Sequence, residues 1–139
     1  MEFVTRLAPA LGRLFLAVLF LASGANKLHD PTATVAYIAQ AGLPWPSFAY
    51  AGSALVEVLG GLLLLVGFQA RIAAAALAAF SIVAAVFFHS NFADVNQTIH
   101  FMKNVAITGG LLQIVAFGAG AFSFDNRNSI DAHLGLARG

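Results

Sequence analysis

The sequence predicts an all-α fold: a transmembrane four-helix bundle with a short interfacial helix between spans 1 and 2. Three observations carry that reading. Hydrophobic residues make up 60% of the 139 residues and charged residues only 9%, against about 25% charged in an ordinary soluble domain. Four apolar stretches reach the roughly 20 residues a bilayer crossing needs, and together they use most of the chain. One carboxylate, Glu57, sits near the middle of the second stretch, where an acidic side chain is costly and needs a partner or a task. A single membrane domain over 1–139 is the economical solution.

The first span is expected over about Leu7–Leu28, with Leu14, Phe15, Leu16, Val18, Leu19, Phe20 and Leu21 in near-continuous order. Pro9 falls in its first turn, where a missing N–H costs little. Arg6 and Arg13 ahead of Leu14–Ala22, with Ala22–Ser23–Gly24–Ala25 behind, also have the outline of a signal peptide. Three more crossings follow, so an uncleaved span is the better reading. His29–Asp30–Pro31 breaks the helix, and about Thr32–Gly42 is too short to cross, which suits a helix lying at the interface. Trp45 and Tyr50 fit the aromatic belt that follows it.

The second span runs over about Ser47–Phe68, with Gly60–Gly61 as a small face for close packing in lipid. The turn to the third span, about Arg71–Phe88, is so short that the two must be antiparallel neighbours. Ala73–Ala76, Ala78, Ala79, Ala84 and Ala85 make that third helix suited to tight packing. The fourth span is expected from Ile99 to Phe122, followed by a polar tail over 123–139.

Arg6, Arg13, Arg71, Arg127 and Arg138 fall on one side of this layout, and Lys27 and Lys103 on the other. The excess of basic residues predicts an inner (plasma) membrane protein with both termini cytoplasmic. No cysteine is present, which removes disulfides, thiol redox chemistry and Cys-ligated iron–sulfur clusters. Redox work would have to be done by a bound cofactor. A net charge of +1 without a basic stripe excludes a nucleic-acid partner.

Two polar groupings are candidates for function. Helices rise about 1.5 Å per residue. Glu57 lies ten residues in from Ser47, and Arg13 six residues in from Leu7 on the opposite side. That depth arithmetic offers Arg13 or Lys103 as the cation for Glu57. The pair is then a clasp that fixes helix order, the floor of a pocket, or a proton-transfer site. The second grouping is Lys27, His29, His89, His100, Lys103 and Asn104, all near one membrane face. Ordinary interfacial hydrogen bonding, a metal or haem site, and a site for a quinone ring or polar head group are its three readings. None of the histidines has the spacing of a known metal motif, so no metal ligands are assigned. Lys103 and Asn104, near a helix N-terminus, favour a carbonyl or anionic oxygen. Trp45, Phe87, Phe88 and Phe101 would be an apolar wall, unless they are simply core or lipid contacts.

The chain resembles the DoxX family of small four-span bacterial inner-membrane proteins. The matching pieces are Gly12–Arg13, Ser23–Gly24 with Lys27–Leu28, Glu57 with Gly60–Gly61, Arg71 and Phe88–His89. Phe101 with Lys103–Asn104, Gly109–Gly110–Leu111–Leu112, Gly118, Gly120 and Ser123–Phe124–Asp125 complete them. The resemblance covers about Leu11 to Asp125 and implies a four-helix bundle. It implies a membrane subunit of a redox or oxidative-stress assembly, non-catalytic by itself, or a quinone- or lipid-binding subunit like those of thiosulfate–quinone oxidoreductase. A small-molecule transporter is a third reading, motivated by the midplane charge. The expected companions are membrane lipids, soluble or membrane protein partners, a further copy of the chain, and a quinone or lipid as bound ligand.

Overall fold

The computed structural model describes residues 1–127. Helices α1 (Glu2–His29), α2 (Pro31–Gln40), α3 (Pro46–Val66), α4 (Ala70–Phe88) and α5 (Val95–Phe117) follow one another along the chain. All but α2 are long and apolar enough to cross a membrane. The protein is therefore a four-span helical bundle with a short helix between spans 1 and 2.

Local chemistry sets the ends of these helices. The Asp30 side chain accepts from the Ala33 N–H at 3.0 Å and Pro31 opens α2, while Gly42, at φ 78°, follows its end. Asp94 accepts from the Asn96 N–H at 2.8 Å, which starts α5 four residues before the expected Ile99. Gly118, at φ 84°, stops α5 before the expected Phe122. Span 1 also begins earlier than Leu7, and Pro9 lies inside the helix rather than in its first turn. Proline gives up its own N–H donor there, and the Pro9 ring packs under the chain reversal at Gly120.

Helix α1 packs against α3, α3 against α4 and α4 against α5, with a lighter closure between α1 and α5; α2 lies on α3 and α1. Ala17, Phe20, Leu64, Ala74, Leu77 and Leu111 form the centre of the core. The two adjacent glycines of α3 serve different neighbours. A Cβ on Gly61 would lie 2.9 Å from Leu21 Cγ of α1, and one on Gly60 would lie 2.9 Å from Leu77 Cγ of α4. Van der Waals contact of this closeness drives helix association in lipid, where burial of apolar surface contributes little.

The short α3–α4 turn makes these helices antiparallel neighbours, as its length requires. Gly67 takes φ 69°, its N–H bonds to Leu64 O, and the Phe68 N–H reaches back to Leu63 O at 3.0 Å, a Schellman closure. The next helix is capped from far away in sequence. Asp125 accepts from the N–H groups of Gln69 and Ala70 at 2.8 and 2.9 Å, and its own N–H bonds to Gly67 O. The segment Ser123–Asp125, the start of the polar tail, folds back onto the turn; residues 128–139 of that tail lie outside the described residues. An anionic cap at a helix N-terminus contributes on the order of 1–2 kcal/mol. Asp125→Ala is expected to lower stability by about that amount, measured by denaturant unfolding in detergent micelles, with Asp125→Asn losing less.

Candidate functional site

Gly24 determines where Glu57 meets α1. A Cβ at Gly24 would lie 2.7 Å from Val58 Cγ2 and 3.4 Å from Glu57 Cβ, so the helices approach closely at this level. Lys27 is three residues further along α1. Side chains on a helix lean toward its N-terminus, which brings the Lys27 ammonium back over Glu57. Lys27 Nζ lies 2.5 Å from Glu57 Oε2. Ser23 Oγ donates to Glu57 Oε1 at 2.9 Å and accepts from Lys27 Nζ at 3.2 Å. Glu57 is 3% exposed, while the Lys27 side chain is 21% exposed. The Phe80 ring of α4 lies under the ammonium, 5.7 Å from centroid to Nζ.

The cation for Glu57 is thus Lys27, and neither Arg13 nor Lys103. Arg13 lies fourteen residues before Lys27, about 21 Å along the helix. Its buried guanidinium donates to the carbonyls of Ala119 and Phe122, the second at 2.6 Å, and belongs to the Gly67–Asp125 end of the bundle. Lys103 is exposed on α5. The depth arithmetic failed because it set the spans level at their ends, whereas Gly24 is level with Glu57–Val58.

Above the ion pair is a cavity of about 620 Å³, walled by α1, α2, α3 and α4 and reached by Asn104 and Ile107 of α5. Its size falls within the range of small-molecule sites. Ser23, Lys27 and Glu57 line one side, and His89 and Asn104 also contribute polar groups. Thr34, Tyr37 and Ser53 also reach the lining, and the remainder is apolar, from Phe20, Ile38, Val56, Phe80 and Val83 among others. Tyr37 of α2 stacks on Phe88 of α4, with centroids 5.3 Å apart and planes 16° from parallel, and both rings line the cavity.

His89 and His100 stack with centroids 4.9 Å apart, and His89 Nδ1 lies 2.8 Å from Gln97 Oε1. The Asn104 amide donates to His100 O at 3.0 Å. His29 is exposed at the end of α1. Among the described residues, no three His, Asp or Glu side chains converge as a metal site requires.

The structure therefore brings Lys27, Glu57, His89 and Asn104 around one cavity, places His100 behind His89, and leaves Arg13 and Lys103 elsewhere. Of the aromatic residues expected as a wall, Phe88 lines the cavity. Trp45 and Phe87 are exposed, and Phe101 packs edge-on against Phe92 with centroids 5.1 Å apart. Sequence reasoning missed Ser23, Tyr37 and Phe80 as members of the site. For Ser23 a signal existed: it stands four residues before Lys27 on the same helical face, beside the glycine that admits Glu57.

Comparison with known proteins bears on the same region. The DoxX family model matches residues 8–90, a stretch that includes Ser23, Lys27, Glu57 and His89. Inner membrane protein YqjF of Escherichia coli (strain K12) is 37% identical over 113 residues, covering 81% of this chain and 85% of that protein. Inner membrane protein YphA of the same organism is 30% identical over 123 residues, covering 84% of this chain and 87% of that protein. No solved structure matches the chain.

Proposed function

Because the chain belongs to the DoxX family and is a multi-pass inner-membrane protein with four spans, we propose that it is a membrane-embedded binding subunit. It holds a quinone or a lipid in the cavity beside the Lys27–Glu57 pair and serves a redox or oxidative-stress assembly whose catalysis is performed by other chains. The observation that carries this reading is the cavity: about 620 Å³, mostly apolar, with an ion pair and a serine on one side and His89 and Asn104 also in its lining. An apolar pocket with a few placed polar groups is the usual form of a small-molecule site. The absence of cysteine from the sequence leaves electron transfer to a bound cofactor or a partner.

Both termini are assigned to the cytoplasm. Arg6, Arg13, Arg71 and Arg127 support this, since they gather toward the end of the bundle that carries the N-terminus and the α3–α4 turn, while Lys27 and Lys103 lie toward the other. The cavity then belongs to the outer half of the membrane.

Extraction of the protein in mild detergent, followed by mass spectrometry of its organic extract, tests the proposal. A quinone or lipid is expected to co-purify in stoichiometric amount and to be lost when Ala84, which lines the cavity, is replaced by tryptophan. Retention of nothing, or equal retention by Ala84→Trp, would remove the binding role. Chemical crosslinking at native expression tests the assembly role separately, and a protein recovered alone counts against it.

A further inference from the structure

The bond inventory at Glu57 restricts what the cavity accepts. A lysine ammonium has three N–H donors. One goes to Glu57 Oε2 and one to Ser23 Oγ. The single Ser23 O–H is spent on Glu57 Oε1, and Glu57 itself is sealed at 3% exposure. Lys27 is the more exposed member of the ion pair, and it retains one N–H. The cluster therefore carries no net charge and presents a single donor to the space beside it.

From this we infer that the site selects a neutral molecule bearing a carbonyl-type acceptor on an apolar body, and discriminates against carboxylates, phosphates and ammonium heads. The inference rests on the cavity being a ligand site and specifies the ligand's class. An anionic head would have to share Lys27 with Glu57 and would stand close to a buried carboxylate in a medium of low dielectric constant. A cationic head would face the ammonium. A neutral carbonyl takes the spare N–H without adding a charge, and Phe80, already against Lys27, borders the place where the head would lie. Quinone rings and the ester or ketone heads of neutral lipids share this chemistry.

A matched series of ligands tests it, using the full chain in nanodiscs of zwitterionic lipid and isothermal titration. The series has a ten-carbon chain carrying a benzoquinone head, a methyl ketone, a carboxylate or a trimethylammonium group, with the bare alkane as reference. The two neutral carbonyl compounds are expected to bind at least about tenfold more tightly than the alkane, the carboxylate and the ammonium compound, a margin of about 1.4 kcal/mol. Between the first two, the quinone arm distinguishes a ring from a simple ketone head. Glu57→Gln frees Lys27 from its counter-charge and is expected to reverse the order, so that the carboxylate binds best. The triple variant S23A/K27M/E57L removes the ammonium and hydroxyl donors and both charges together. It is expected to bring the carbonyl compounds down to that variant's own affinity for the alkane. Carboxylate binding to the unaltered protein as tight as carbonyl binding overturns the inference and leaves the ligand cavity standing. Binding of none of the compounds overturns both.

Discussion

Lys27→Met is expected to destabilise the protein by on the order of 3 kcal/mol, because it leaves the Glu57 carboxylate buried without its cation. The residue is nearly sealed from its surroundings, and of its two side-chain donors only Ser23 would remain. Glu57 can limit the loss by taking a proton, which sets the expected figure at the lower edge of the range for broken buried pairs. The informative comparison is the double variant K27M/E57L. A well-packed apolar pair often matches or exceeds the stability of the ion pair it replaces, so the double variant should recover most of what the single one loses. Thermal unfolding in detergent, followed by circular dichroism, would show this as a marked fall in Tm for the first variant and near-restoration for the second. Equal stability of Lys27→Met and the unaltered protein would mean that the 2.5 Å contact contributes nothing to folding.

The second large effect is expected at Gly67. A β-branched residue there meets two obstacles. The backbone sits at φ 69°, a left-handed conformation that such residues adopt only under strain. The new Cβ would also stand 2.5 Å from Ser123 Cβ and 3.0 Å from Arg13 Cζ. Gly67→Val should therefore cost on the order of 2–5 kcal/mol. The loss comes from the turn itself and from displacing the Ser123–Asp125 segment that caps α4. Gly109 is the control, since a Cβ there would meet nothing within 4 Å; Gly109→Ala should leave the melting temperature unchanged or raise it by a few degrees. If both variants melt alike, the close packing at the turn is not a determinant of stability.

The spans were legible because length and apolarity dictate them, and lipid admits few alternatives for a backbone that must satisfy its own hydrogen bonds. The short helix between spans 1 and 2 was legible because Asp30–Pro31 is a helix start, and the antiparallel pairing of α3 and α4 because three residues cannot reach further. Glu57 announced itself by its cost. Its partner did not, because helix offset depends on where small residues let backbones approach, and nothing in the residue order says that Gly24 meets Glu57 and Val58. Arg13 was equally conspicuous, yet its acceptors are the carbonyls of Ala119 and Phe122. Backbone acceptors leave no trace in residue types, so an arginine bound to them looks in sequence like an arginine seeking a carboxylate. Tyr37 and Phe80 enter the cavity lining through the placement of α2 and the rotation of α4, both tertiary outcomes that local pattern does not encode.

Arg13, in the earliest helix, donates to carbonyl oxygens that are synthesised more than a hundred residues later. During translation its guanidinium must wait, hydrated or among lipid headgroups, while every other span inserts. Only when the ribosome has delivered the segment through Asp125 can the last carbonyls reach it and the newest part of the chain seal the oldest. The first span is thus stitched to the segment that follows the fourth, and a chain cut short before Ala119 would leave the Arg13 guanidinium without these two acceptors.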